Sequence, residues 1–304
     1  LVTLGCSEAV LGVKGSGKTS FTAAKIISIG TKKRIIPVQD IEEIPVRAFR
    51  KRGFHIGAAR VQSEQSEGGD RGQSKELDLV TMANALLRMG DAAIIINEVR
   101  SRTAVQGIIN LLNTQPGVFL LYNLHAESLK DIQDRLELVF GMPSASMLAT
   151  DRYNFISKIR FGRKGKVYRV LGHSYETDQN EKSFVSVFEM ERGNSIEACN
   201  LKPKFIKNPE AWSRDLGKMD MGKMEKNLDL EFIPPALKRR AANTGIAPEQ
   251  YILQAFFKGK VYDQIYKASQ EFNDKRLLEI DFVYKMNNHA NKLLQGLENE
   301  NGEI

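Results

Sequence analysis

Gly12-Val13-Lys14-Gly15-Ser16-Gly17-Lys18-Thr19 is the stretch on which the reading of this sequence turns. It satisfies the pattern G-x-x-x-x-G-K-[ST] at every fixed position. Glycines at 12, 15 and 17 let the backbone wrap so that successive N–H groups point inward at an anion. A helix opening just after Gly17 adds the positive end of its dipole. Lys18 is then placed to reach terminal phosphates, the Thr19 hydroxyl to meet Mg²⁺, and Ser20 completes the cradle. A chance Gly/Lys-rich turn would satisfy the same letters. Here, however, the motif stands between an apolar strand ending Ala9-Val10-Leu11 and a helical segment from Thr19 to Ile29, which is the context a phosphate cradle needs. The expected ligands are a nucleotide's phosphates and Mg²⁺.

Working outward, the first two-thirds of the chain alternates apolar runs with helix-period segments, the pattern of an α/β protein with a mostly parallel sheet. Arg34 to Val38 is a strand whose Pro37 favours an edge or a strand start. Gln62 to Ser74 is polar and rich in Gly, Glu and Ser, and is expected to be a mobile loop. Lys75 to Met89 carries a helical stripe that Gly90 caps. Ala92 to Ile96 and Val118 to Tyr122 are continuous apolar runs, as strands buried on both faces require. Ser128 with Asp131 opens a helix through Phe140. Past Asp151 the pattern becomes a hairpin, Tyr153–Phe161 and Lys166–Gly172 around Gly162–Gly165, with Ser183–Glu189 as a third strand. Arg160, Arg163, Lys164, Lys166 and Arg169 are expected as its exposed charges. Gly193 to Leu230 is polar, and from Pro234-Pro235 onward the pattern is helical. The expected organisation is a core over 1–192, a linker over 193–233 and a helical domain over 234–304. Tyr251, Phe256, Phe257 and Tyr262 have the spacing of core packing rather than of a base-stacking platform.

Composition narrows the function classes. Of 304 residues, 42% are hydrophobic and 27% charged, which excludes a mainly disordered chain. No run approaches the ~20 apolar residues that a bilayer crossing takes. The 44 basic and 37 acidic residues give +7, spread along the chain rather than gathered in a patch, so nucleic acid is permitted but not favoured. Cys6 and Cys199 are far apart and match no metal or disulfide spacing, in keeping with a reducing compartment.

A P-loop names a nucleotide and not a reaction, so the next question is a carboxylate on a separate strand. Asn97-Glu98-Val99-Arg100 closes the apolar run at Ala92–Ile96, where parallel sheets put their ligand-contacting tips. A glutamate there can polarise an attacking water and help organise Mg²⁺. Together with Gln39-Asp40-Ile41-Glu42-Glu43 and Leu124-His125-Ala126, these motifs make the sequence resemble the secretion-type ATPases of type II secretion, type IV pilus and archaellum assembly. The order of P-loop, acidic box, carboxylate strand and histidine box is the same, and the helical tail is similar to that of the archaeal branch.

The resemblance implies a RecA-like P-loop NTPase core with a β-hairpin extension and an all-α C-terminal domain. It implies ATP hydrolysis with Glu98 orienting water and joining Thr19 at the metal, Asp40 and Glu43 assisting, and His125 sensing the γ-phosphate. Arg47, Arg50 and Arg52 become candidates for charge supplied across a subunit boundary. A homo-hexameric ring serving a polytopic inner-membrane platform, at the cytoplasmic face of the membrane, is implied as well. So is an N-terminal domain preceding this stretch in the longer family chain. Gln39 stands where the family has Glu, Asn97 where it has Gly, and the acidic residue expected after Arg100 is missing. These departures keep open a slow, nucleotide-dependent adaptor. A nucleic-acid motor of the same broad fold is the other alternative.

Overall fold

The computed structural model describes residues 2–39, 41–60, 79–86, 88, 91–99, 102–114, 118–218 and 220–300. Asp40, Arg100 and the expected loop at Gln62–Ser74 lie outside the described residues. Two compact units, Leu1–Lys202 and Pro203–Ile304, make up the chain.

The first unit is an α/β domain on one nine-stranded sheet. Its elements in chain order are β1 (Glu8–Leu11), α1 (Lys18–Ile29), β2 (Arg34–Gln39), α2 (Val46–Arg50), β3 (Ala59–Arg60), α3 (Leu79–Leu86), β4 (Ala92–Val99), α4 (Arg102–Thr114), β5 (Phe119–Leu124), α5 (Leu129–Asp134), β6 (Arg152–Arg160), β7 (Val167–Asp178), β8 (Ser183–Glu191) and β9 (Asn200–Pro203). The sheet order is β3-β2-β4-β5-β1-β6-β7-β8-β9. From β3 to β6 every pairing is parallel, and from β6 to β8 it is antiparallel. This is a mostly parallel core extended by a hairpin. The strand before the P-loop and the strand carrying Glu98 are held apart by one strand, β5.

The apolar runs become strands because both faces are covered. All of β1 and β5 is buried, and the main core gathers Ala9, Leu11, Ile94, Ile96, Leu120 and Tyr122 with Val105, Ile108 and Leu111 of α4. Ser128 caps α5, accepting from the Asp131 N–H at 3.1 Å, and the following turn, Arg135–Val139, widens to a π-helix instead of continuing as α. Pro37 is not on the edge: β2 lies one strand in. The Ile35 N–H and carbonyl bond to the 55–57 segment, and Pro37, two residues on, faces that same side. Its missing donor therefore falls in the gap before the two-residue ladder of β3, where little is lost.

Two irregularities shape the ligand-facing end of the sheet. Between β4 and β5 the register runs Ile96↔Tyr122 and then Val99↔Leu124, so β4 carries an extra residue at Asn97–Glu98. Between β6 and β7 it passes from Phe155↔His173 to Ile156↔Leu171, so Gly172 is the extra residue. Bulges of this kind re-aim side chains that strict alternation would send to opposite faces.

The second unit is helical: α6 (Pro209–Lys218), α7 (Met221–Lys226), α8 (Pro235–Ala241), α9 (Pro248–Glu271) and α10 (Ile280–Glu300). The stretch expected as a linker, 193–233, is thus not one. It holds α6 and α7, with Trp212 and Met224 buried, and the units divide at 202/203. Trp212 packs edge-on against Phe256 with centroids 4.7 Å apart, and Phe257 joins Ala290 and Leu294. Phe257 is core, as its spacing indicated, while Phe256 is half-buried against Trp212. The last helix begins with a 3₁₀ turn, Lys275–Leu278, behind Asp274. No helix among the described residues is long and apolar enough to cross a membrane.

Candidate functional site

The P-loop connects β1 to α1, and three of its glycines sit where other residues are strained: Gly12 at φ +149°, Gly15 at +71° and Gly17, the residue capping α1, at +93°. A Cβ on Gly12 would lie 2.4 Å from the Ile156 carbonyl oxygen and 2.6 Å from Ser16 Oγ, so the loop closes this tightly only with glycine. Ser16 is fully buried and its hydroxyl has no hydrogen-bond partner among the described residues. Lys18 Nζ donates to the carbonyls of Gly12 at 2.9 Å and Val13 at 3.2 Å, and stands 3.3 Å from His125 Nδ1. Burial holds this lysine below its ordinary pKa. Glu98 and Glu43 oppose that shift, and the neighbouring cation Lys158 adds to it.

Two threads of hydrogen bonds join α1 to the carboxylates. One runs from Lys18 through His125 to Glu98, whose Oε1 lies 2.8 Å from His125 Nε2. The other begins one turn along the helix. Thr22 donates to Asn123 at 2.6 Å, Asn123 to Asn97 at 3.3 Å, and Asn97 to Glu43 Oε2 at 2.7 Å. Thr19 Oγ1 donates to that same oxygen at 2.8 Å, closing the circuit on α1. The bulge in β4 is what lets adjacent residues, Asn97 and Glu98, serve both threads. Gln39, at the end of β2, accepts from the N–H groups of Glu43 and Ile44, each at 3.3 Å, and so fixes the backbone that carries Glu43.

Lys14–Phe21, Glu43, Asn97, Glu98, His125, Arg169 and a short apolar strip of Ile156, Val170 and Leu171 line one open cleft of about 740 Å³. Among the described residues no three His, Cys, Asp or Glu side chains form a ready metal cage. The donors fit a cation that arrives with its own oxygens: a hydroxyl and a carboxylate at Thr19–Glu43, near the buried ammonium of Lys18.

No family profile and no curated protein sequence matches the chain. Among solved structures it is similar to the VirB11 ATPase of the Brucella suis type IV secretion system in complex with sulphate, at 20% identity over 60% of this chain and 51% of that one, TM-score 0.45. The Legionella pneumophila ATPase DotB gives 13% identity over 58% and 47% of the two chains, TM-score 0.42. A KaiC-like protein from Pyrococcus horikoshii gives 15% over 66% and 90%, TM-score 0.34. The chain thus spans about half the length of the first two.

Of the residues expected from the sequence, Gly12, Gly15, Ser16, Gly17, Lys18, Thr19 and Ser20 form the loop and the start of α1, and Glu43, Glu98 and His125 converge on them. Asp40 lies outside the described residues. Thr19, expected to share a metal with Glu98, donates to Glu43, and Glu98 pairs with His125. Arg50 donates to the Ile56 carbonyl at 3.0 and 3.2 Å, and Arg52 to that of Ala48 at 2.7 Å, so both brace their own segment, while Arg47 is exposed. Sequence reasoning missed Lys158, Asn123 and the placement of Arg169. Arg169 is not simply an exposed hairpin charge, since its Nε donates to the Gly15 carbonyl at 2.9 Å.

Proposed function

We propose that this chain is a P-loop ATPase that binds ATP with Mg²⁺ at Gly12–Thr19 and hydrolyses it. The observation that carries the reading is the thread Lys18–His125–Glu98, which ties the phosphate-reaching lysine to a carboxylate at a neighbouring strand tip. The inward N–H groups of the loop and Lys18 hold the β- and γ-phosphates. Thr19, with Glu43 and Glu98 beside the cleft, would hold Mg²⁺, which when bound supplies charge neutralisation across the phosphate oxygens. Glu98 orients a water and accepts its proton as the water oxygen attacks the γ-phosphorus. The bond to the bridging oxygen breaks and ADP leaves with the electron pair. Lys18 cannot serve both His125 and a γ-phosphate in full, so His125 is placed to register whether that phosphate is present.

Lys18→Ala is expected to abolish phosphate release, and Glu98→Gln to retain bound ATP while turning it over at least ~100-fold more slowly. Unchanged steady-state hydrolysis in both variants refutes the proposal. Following the resemblance, the chain works as a homo-hexameric motor at the cytoplasmic face of a membrane, coupled to a polytopic platform protein of a pilus, archaellum or secretion machine. Exposed Arg47 is its best-placed arginine for a neighbouring subunit. Mass by light scattering with and without a non-hydrolysable ATP analogue tests the ring. A slow adaptor is the second reading, favoured by Gln39, whose amide braces Glu43 where an acid would offer a base. Single-turnover hydrolysis on the assembled protein separates the two.

A further inference from the structure

The β6–β7 hairpin carries a pair of side chains that its own stability does not call for. Lys158 and Arg169 stand directly opposite each other in the antiparallel register. Like charges so placed destabilise a hairpin unless something else holds them there. Both reach the same place. Lys158 Nζ donates to the Lys14 carbonyl, and Arg169 Nε to the Gly15 carbonyl at 2.9 Å. A Cβ on Gly15 would lie 3.2 Å from Lys158 Nζ, and one on Gly17 3.2 Å from Arg169 Cδ, so the two side chains lie hard against the loop. With Lys14 and Lys18 they bring four cations to the segment Lys14–Lys18, and the bulge at Gly172 sets this part of the hairpin's register.

We propose that Lys158 and Arg169 are a phosphate clamp supplied in cis. They hold the Lys14 and Gly15 carbonyls and so keep those lone pairs off an arriving phosphate, and their mutual repulsion is relieved when a nucleoside di- or triphosphate brings its charge to the loop. The proposal rests on the reading of Gly12–Thr19 as a nucleotide site. Both act through the loop backbone and are positioning residues.

The test titrates fluorescent ATP and ADP analogues, with Mg²⁺, into the wild type, K18A, K158Q, R169Q, K158Q/R169Q and K158R. Thermal midpoints are recorded without nucleotide. Loss of a charge-assisted bond predicts about fivefold weaker binding for each single Gln variant and roughly 30-fold for the pair. The loss is expected to be larger for ATP than for ADP, and K158R to stay within about threefold of the wild type. Because a like-charge pair has been removed, the nucleotide-free midpoint of K158Q/R169Q is expected to match or exceed that of the wild type. Double-variant affinity within twofold of the wild type, with K18A defective, overturns the clamp and spares the nucleotide site. A lower nucleotide-free midpoint with equal losses for ATP and ADP also overturns it, as a merely structural role. If the wild type binds neither nucleotide, the P-loop reading falls and the clamp with it.

Discussion

Asn97 is buried at the β4 bulge, with its side-chain nitrogen 2.7 Å from Glu43 Oε2 and its oxygen accepting from Asn123 at 3.3 Å. Asn97→Ala removes one of the two side-chain bonds that hold the Glu43 carboxylate among the described residues, the other being from Thr19. A hydrogen bond to a charged group contributes about 1.5–3 kcal/mol, and the exposed position of Glu43 places this one at the low end, near 1.5 kcal/mol, or about tenfold in rate. Stability should fall by about 1–2 kcal/mol, since Asn123, fully buried, loses an acceptor but keeps Thr22. Phosphate release by the wild type, N97A, E43A and N97A/E43A forms a double-mutant cycle. Each single change is expected to slow turnover about tenfold or more, and N97A to cost little once Glu43 is gone, a coupling of about 1–1.5 kcal/mol. Strictly additive effects would refute the idea that Asn97 acts by placing Glu43.

Three further outcomes follow from the geometry. Gly12→Ala pushes a Cβ to 2.4 Å from a backbone oxygen and should abolish nucleotide binding in a titration, whereas Gly30→Ala, at φ +82° and ψ −175° with nothing within 4 Å, should bind nucleotide and cost about 1–3 kcal/mol in urea unfolding. Glu8 is buried; burial raises its pKa, but Lys25 and Arg152 outweigh that and hold it down at about 2, from an ordinary 4.5. Its contribution, on the order of 3 kcal/mol, is complete above pH 4.5 and lost as pH falls towards 2, so unfolding free energy should drop less steeply between pH 5 and 3 in Glu8→Gln than in the wild type. Trp212→Ala should cost the helical unit about 3–5 kcal/mol, while Trp212→Phe should be far milder, because the indole N–H has no acceptor among the described residues.

What the sequence disclosed was what is local. The P-loop needs glycines at fixed offsets and declares them, and the runs at Ala92 and Val118 could be buried only by a sheet covered on both faces. Glu98 and His125 were legible because strand tips in such a sheet face one crevice. Asn97 and Gln39 were legible only as losses of a glycine and an acid. Their use depends on a strand register slipped by one residue and on a loop folding back onto β2, and neither is written in periodicity. Arg169 reads as an ordinary exposed hairpin charge and Lys158 carries no signal at all, since alternation along β6 and β7 says nothing about the loop that crosses beside them. Segment 193–233 looked polar because its buried anchors, Trp212 and Met224 among them, are too sparse to set a helical stripe.

The strand β5 carries Asn123 as its penultimate residue, ends at Leu124 and is followed directly by His125. Each of the two threads from α1 passes through one of these side chains. The strand therefore acts as a common axle for both carboxylates. A slide of β5 along its neighbours would disengage Glu43 and Glu98 together, and a stiffer β5 would keep them geared together. Variation that decoupled Glu98 from Glu43 would have to arise elsewhere, at Gln39 or in the β4 bulge.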